Sequence, residues 1–449
     1  MTQDPIPIDL FRGWPNPTLL PVDSLAQSAA TVLSTPALYQ PGLQYGPDEG
    51  YAPLRQHVAT WLSSFYPPTA AKRTGPISSA RLCITGGASQ NLACVLQVYT
   101  DAAYTRNIWL VAPTYYLACR IFDDAGFMNR LRGVPEDAEG IDLEFLEQRL
   151  HEAEQDVRIT KPLHTLPRPW SKIYKHVIYL TPTFANPSTK VVSLRRREEL
   201  VRLARRFDAL IIADDVYDFL QWPSDPSVPE QEYDSETALL PRIVDIDGYL
   251  DGGPIDEWGN AMSNGSFSKL IGPGMRVGWV EGTEKFSYGI SQTGSTRSGG
   301  APSQLASTFV DQILHSGSLQ RHIKSELIPS YRARYNRMMG AINEHLLPLG
   351  FKVPANTQPT AGGFFVWLDL PESLTGDLLA ERALAEGNLR IGSGSLFQIE
   401  GDGTEYRRTF GRSIRLCFAW ERVEVLDEGV RRLADIYLSK FFNLKTTTL

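Results

Sequence analysis

Cysteine is scarce: four residues in a chain of 449, at positions 83, 94, 119 and 417, with no C-x-x-C pair and no zinc-ligand spacing. A disulfide scaffold is thereby excluded, and the thiols suit a reducing compartment in which they serve as packing residues. Long apolar runs are also missing, so no segment is expected to span a bilayer. The N-terminal MTQDPIPIDLF has neither a basic nor an apolar leader region, and a cytoplasmic location is expected. Positive charge is not in excess. The formal net charge is −7, which gives no support to a broad nucleic-acid-binding surface. There is no G-x-x-x-x-G-K-[ST] loop, no full G-x-G-x-x-G after a strand, and no H-E-x-x-H, so neither a nucleotide loop nor a metal centre is expected.

What is present describes an ordinary globular protein. Hydrophobic residues make up 42% and charged residues 21%, in a chain long enough for two domains and a large core. From about Arg81 to Glu281, short apolar runs alternate with helical patterns: RLCIT, NIWLVA, VIYLTP, ALIIAD, AMSNG and RVGWVEG read as strands. That alternation predicts an α/β fold, with a mostly parallel sheet covered by helices on both faces. After about residue 320 the rhythm changes to a long helix (roughly His322 to His345), the strands GGFFVWLDL and SIRLCFAW, and a final amphipathic helix from about Val423 to Phe441. A smaller α+β domain is expected there. The division is residues 1–40 as a proline-rich arm packing on the small domain, 41–318 as the large domain and 319–449 as the small one. Arg158–Lys175 and the acidic Pro223–Glu236 read as surface insertions.

Ligands of an open parallel sheet bind outside the carboxyl ends of its strands, so the residues there carry the most information. After RLCIT stands Gly86-Gly87-Ala88-Ser89-Gln90, opening a helix; after NIWLVA, Pro113-Thr114-Tyr115; after VIYLTP, Phe184-Ala185-Asn186-Pro187. ALIIA is followed by Asp214-Asp215-Val216-Tyr217, and AMSNG by Ser266-Phe267-Ser268-Lys269. Each has a plain reading when taken alone: a turn, a packing aromatic, a helix cap, a surface charge. The triplet Asn264-Gly265-Ser266 fits a glycosylation acceptor by chance only, because a glycan would block this rim.

Together the residue types fit one cofactor, pyridoxal 5'-phosphate. Its aldehyde needs a lysine amine for a Schiff base, reactive only if burial and neighbouring charge lower its pKa. Its pyridine nitrogen needs a carboxylate so that the ring can act as an electron sink. Its phosphate needs a helix N-terminus, hydroxyls and a guanidinium, and its ring is best held by a stacked aromatic.

The segment S-F-S-K-x-x-x-x-G-x-R (Ser266 to Arg276), with QYGPDEGYAPLR, ADDVY and the run from Gly13 to Pro17, also resembles a known family. The chain resembles, over essentially its whole length, the class I/II aminotransferases of the fold-type I pyridoxal-phosphate enzymes, nearest to the aminoadipate/kynurenine aminotransferase group. The resemblance implies that Lys269 is the Schiff-base lysine and that Ser266, Ser268 and Arg276 hold the phosphate with Ala88, Ser89 and Gln90. It implies Tyr115 as the stacking ring, Asp214 at the pyridine nitrogen, and Asn186 and Tyr217 at the ring hydroxyl oxygen. Arg415 would fork onto the substrate α-carboxylate, with Gly13 and Asn186 beside it. Tyr45 would reach the phosphate of a neighbouring subunit in a homodimer with shared active sites. Two departures leave substrate choice open. The Tyr217–Lys269 segment is long and acidic, and the usual N-P-T-G reads Asn186-Pro187-Ser188-Thr189.

The implied activity is transamination between an L-amino acid and a 2-oxo acid by a ping-pong cycle, a role in amino-acid metabolism or biosynthesis. Lys269 would move the proton between substrate Cα and cofactor, with Asp214 and Tyr217 supporting it. A second reading keeps the cofactor and changes the reaction to a lyase, decarboxylase or synthase step on an amino acid. A third is a non-catalytic regulator, which would be expected to carry a winged helix-turn-helix ahead of Gly13, where only a short arm stands. An acidic substrate side chain would call for a second arginine. Arg12 and Arg297 are the candidates, each with the plainer reading of a structural or exposed charge.

Overall fold

A computed structural model describes residues 6–67, 75–155, 168–229, 232–297, 303–355, 358–372, 374–399 and 410–439. Its centre is an eight-stranded sheet made of β1 (Leu82–Thr85), β2 (Asn107–Ala112), β3 (Leu131–Asp137), β4 (Gly140–Ile141), β5 (His176–Leu180), β6 (Ala209–Asp214), β7 (Ala261–Ser266) and β8 (Gly278–Glu281). The spatial order is β1-β8-β7-β6-β5-β2-β3-β4. Pairs β7–β6, β6–β5, β5–β2 and β2–β3 are parallel, while β8 is antiparallel to both neighbours. Because β8 reverses twice, β1 runs in the same direction as β7. The carboxyl ends of β1, β2, β5, β6 and β7 therefore share one rim.

These strands form because both faces are covered. Every residue of β5, β6 and β7 is buried, as expected of parallel strands between helices, although β7 carries the polar Ser263, Asn264 and Ser266. The crossover helix Leu194–Arg206 starts at Ser193, whose Oγ accepts from the Arg196 N–H, and packs Leu200, Val201, Leu203 and Ala204 inward.

A second, three-stranded sheet follows later in the chain. Phe365–Asp369 and Gly392–Ser393 flank Ser413–Cys417, both antiparallel to it. The helix Val423–Tyr437 lies against the helix Ile328–Ala341. The long helix expected from 322 to 345 is present and continuous, with two π-turns, Ile323–Leu327 and Ile342–Leu346, within it. The apolar core runs from the helix Ala52–Phe65 through Phe267 and Trp279 to Leu433.

The first forty residues behave as two pieces. Ile8–Asp9 pairs in parallel with Leu389–Arg390, and the Cys417 N–H donates to the Leu10 carbonyl at 2.7 Å. Residues Val22–Ser34 and Pro36–Leu43 are helices packed on the helix Gln304–His315. Of the two expected insertions, 156–167 lie outside the described residues, as do 230 and 231. The second one starts as a ribbon, with Gln221–Pro223 antiparallel to Thr360–Gly362. No described helix is long and apolar enough to cross a membrane.

Candidate active site

At the strand rim lies a cavity of about 420 Å³, within the range of small-molecule sites. Its lining includes Lys269, Asp214, Tyr217, Asn186, Tyr115 and Arg415, together with Ala88, Ser89, Ser266, Ser268, Arg276 and Gly13. Two expected residues stand apart. Gln90 turns back on its own loop, where its Oε1 accepts from the Gly86 N–H at 3.0 Å. Tyr45 is 85% exposed on the surface of the single chain. Of the two spare arginines, Arg12 lines the cavity, whereas Arg297 stands outside it over the Trp170 ring.

Lys269 ends a short turn that follows β7, so the strand delivers it to the rim. Its Nζ donates to the Gly13 carbonyl at 2.9 Å and faces the rings of Phe364 and Tyr217 at 5.1 and 5.7 Å. Burial pulls its pKa down to about 8, with Arg415 acting in the same direction and Cys417 and Asp214 against it. A buried amine that sheds its proton near neutrality is a nucleophile and a base, unlike a surface lysine.

Asp214 ends β6, one strand away and in register with Asn264. Its Oδ2 accepts from the Tyr179 hydroxyl at 2.8 Å and its Oδ1 from Asn264 Nδ2 at 3.4 Å. Burial pushes this carboxyl up to about 6, opposed by the Tyr179 bond and by Lys269. Such a group favours a cation beside it. Asn264 is itself buried and bonded to Asn91, which agrees with the glycosylation triplet being accidental. The neighbouring Asp215 points the other way and accepts from Ser263 Oγ at 2.5 Å.

At one end of the cavity an anion cradle is assembled. Gly87 holds φ +95°, a backbone state that glycine adopts freely, and opens the helix Ala88–Tyr99. A Cβ there would lie 3.0 Å from Arg276 Nη2, so the missing side chain leaves the guanidinium its place. Arg276 donates to the Gly86 and Pro273 carbonyls at 2.6 and 3.0 Å. Ser266 Oγ donates to Ser268 Oγ at 2.8 Å and accepts from the Ser268 N–H. Helix start, hydroxyls and guanidinium form the donor set that a phosphate requires.

At the other end, Arg415 rises from the strand Ser413–Cys417. Its Nη1 donates to Asn186 Oδ1 at 2.8 Å and its Nη2 to the Phe11 carbonyl at 2.7 Å, and its Cζ lies 4.0 Å from the Phe365 ring centroid. Its Nε is buried without a partner. Tyr115, pushed up to about 12 by burial and by Asp214, stays a neutral phenol.

Tyr179, Asn264, Phe11 and Phe365 were not foreseen. Tyr179 left a signal: a phenol inside an otherwise aliphatic buried strand needs a hydrogen-bond partner. An amine, a carboxylate, an anion cradle and a second guanidinium around one cavity are the parts needed for chemistry on an amino acid. The chain matches the aminotransferase class I and II family over residues 17–433. It belongs to that family. This aminotransferase is 34% identical to an uncharacterised protein of Saccharomyces cerevisiae, covering 94% of this chain and 95% of that one. It is 28% identical to the 2-aminoadipate transaminase of Thermus thermophilus, over 96% and 90% of the two chains. The crystal structure of Pyrococcus horikoshii kynurenine aminotransferase, in complex with PMP, superposes with a TM-score of 0.74 at 25% identity, covering 98% of this chain and 92% of that one. The fold is that of the fold-type I enzymes, and the activity is transamination.

Proposed function

We propose that the cavity holds pyridoxal 5'-phosphate and that Lys269 carries it. The observation behind this reading is the juxtaposition in one cavity of a buried amine with depressed pKa, a buried carboxyl with raised pKa, and an anion cradle. When bound, the cofactor supplies an aldehyde that captures amines and a ring that draws electron density from the substrate Cα. Everything else is done by side chains of this chain. Arg276, Ser266, Ser268 and the backbone of Ala88, Ser89 and Gln90 anchor the phosphate, while Tyr115 packs on the ring. Asp214 keeps the ring nitrogen protonated, and a cation there returns its own carboxyl to the ionised form. Because Asn186 Oδ1 is engaged by Arg415, its Nδ2 is the group left to donate to the ring oxygen, beside Tyr217.

Arg415 binds the α-carboxylate of the amino acid as a fork, with Gly13 and Asn186 at its side. The Phe365 ring, 4.0 Å from the guanidinium carbon, and the bonds to Asn186 and Phe11 hold the guanidinium in place, so little freedom is lost on binding. With the cofactor bound, Lys269 Nζ would take the proton from the substrate Cα and return it at the cofactor's aldehyde carbon, as general base and acid. Water would supply the oxo oxygen as the substrate leaves as a 2-oxo acid; the amino group would stay behind on the cofactor and pass to a second 2-oxo acid, with release of water.

The working unit in this reading is a homodimer, with Tyr45 of each copy at the other's phosphate. The large unit 41–318 carries the cofactor, and the unit 319–449 brings Arg415 to it. A cytoplasmic location suits four free thiols. The test is a panel of L-amino acids with 2-oxoglutarate, assayed for glutamate. An active panel member supports the reading, and a yellow protein that releases carbon dioxide or ammonia instead would favour another reaction on the same cofactor.

A further inference from the structure

The turn that carries Asn186 holds a backbone that its side chains do not favour. Phe184 has φ +52° and Thr189 φ +63°, in the left-handed region where an aromatic or β-branched residue is uncommon. Thr189 stands where the N-P-T-G pattern has glycine, the residue that adopts such a φ freely. A strained turn of this kind persists only where its surroundings hold it.

The holding groups come from the end of β3. Within the turn, the Thr189 N–H donates to the Ala185 carbonyl at 2.7 Å and the Ala185 N–H to the Lys190 carbonyl at 3.0 Å. Ser188 is buried, and its Oγ donates to Glu136 Oε2 at 3.1 Å. The Glu136 side chain is only 7% exposed; its Oε1 lies 3.6 Å from Lys190 Nζ, which donates to the Asp137 carbonyl at 2.8 Å. The Asp137 carboxylate in turn accepts from Arg196 Nη2 at 2.8 Å. Burial pushes the Glu136 carboxyl up to about 7, with Lys190 and Ser188 pulling against it and Asp137 adding to the rise.

Ser188 stands two residues from Asn186, whose Oδ1 accepts from Arg415. Slackening of the turn therefore moves the amide that orients Arg415. We propose that Ser188 and Glu136 are positioning residues for Asn186: the pair holds the strained turn so that the amide meets Arg415 on one side and the cofactor on the other. The proposal rests on the roles assigned to Asn186 and Arg415 above. Opening the turn hydrates Glu136 and returns it to the ordinary carboxylate range. The closed turn thus keeps a proton that the open turn releases, and opening becomes easier as pH rises from about 5 to 7.

Hydrogen exchange of the cofactor-free protein, read as the protection factor of the peptide spanning residues 184–191, tests the clamp. In wild type the factor falls as pH rises from about 5 to 7, and Glu136→Gln, which is neutral throughout, removes that fall. At about pH 8 Ser188→Ala leaves a buried carboxylate one donor short and lowers the factor about tenfold, with β5 and β6 unchanged. In the holoenzyme Ser188→Ala raises the KM for amino acids about fivefold and changes kcat by less than about twofold. Introduced into Asn186→Ala, it changes KM by less than about twofold, because the residue it positions is gone. Unchanged protection in Ser188→Ala, or a fall with pH that persists in Glu136→Gln, overturns the proposal. So does lost protection with an unchanged KM, which makes the pair structural only, and so does a KM increase that persists undiminished in Asn186→Ala. Failure of the transaminase reading looks different: wild type takes up no cofactor and turns over no amino acid, whereas the exchange effects in the cofactor-free protein persist.

Discussion

Arg415 and Asn186, 229 residues apart in sequence, are joined by a 2.8 Å hydrogen bond from Nη1 to Oδ1 that links the second sheet to the strand rim of the first. The bond orients both partners: the guanidinium toward the cavity and the amide with its nitrogen free. Arg415→Lys keeps the charge and loses the fork. It is expected to lower kcat/KM for amino acids about a hundredfold, mostly through KM, because a point charge replaces a planar pair of donors. Asn186→Ala leaves the Arg415 charge in place with one partner fewer, so it should raise KM by a smaller factor and shift the visible spectrum of the bound cofactor. Steady-state kinetics on both variants check this, and a wild-type KM in Arg415→Lys would remove Arg415 from the carboxylate site.

The amine of Lys269 should be covalently engaged in the holoenzyme. Borohydride treatment followed by peptide mass spectrometry is expected to find a pyridoxyl group on Lys269 and on no other lysine. With the pKa pulled down to about 8 by burial, the neutral amine accumulates above that pH. Capture of pyridoxal phosphate by the cofactor-free protein should therefore accelerate with rising pH and level off above about 8, not above the ordinary lysine value. Lys269→Ala should retain cofactor through the phosphate and lose turnover by several orders of magnitude.

Much of this site was legible because each strand ends where its chemistry begins. VIYL and ALIIA are unbroken apolar runs, and a change to polar residues at their ends marks the rim of a parallel sheet without any knowledge of tertiary contacts. The Trp14–Arg12–Trp420 arrangement was not legible, since a contact spanning some four hundred residues leaves no local pattern. The helices within the proline-rich first forty residues were less legible. Pro36 stands at the first turn of its helix, where a missing N–H costs nothing, so here proline starts a helix. The helix-start place of Gln90 puts its backbone at the candidate phosphate position, while its side chain fastens the Gly86 turn, a choice that depends on rotamer and not on sequence position.

Asp214 should reveal itself through pH as well as activity. Its carboxyl is pushed up to about 6 by burial, against 3.8 in the unfolded chain. Between those values the folded cofactor-free protein holds a proton that the unfolded chain has released, so stability falls as pH rises from about 4 to 6. The loss amounts to about 3 kcal/mol at most. Denaturant midpoints across this window should lose that component in Asp214→Asn. The same variant should reduce turnover strongly with little loss of bound cofactor, because it leaves the ring nitrogen without a counter-charge. If Asp215→Asn gives that activity phenotype and Asp214→Asn is mild, the assignment is displaced by one residue. The opposite is expected, because Asp215 is turned onto Ser263 and away from the cavity.

Tyr45 does not line the cavity of its own chain. It is 85% exposed, in a loop between the helices Pro36–Leu43 and Ala52–Phe65, and its ring has no place in the cavity of its own subunit. A role at the phosphate therefore requires a second copy, and an isologous contact makes the exchange reciprocal. Subunit mixing decides the matter. Lys269→Ala and Tyr45→Ala chains, each impaired alone, are combined and allowed to exchange. A mixed dimer holds one site with both defects and one site that has its own Lys269 and an intact Tyr45 from the other chain. Activity is expected to rise above the sum of the separate variants, approaching one wild-type site per mixed dimer. If exchange and the Tyr45→Ala deficit are both verified and no gain appears, Tyr45 serves its own subunit, and the shared-site dimer is wrong.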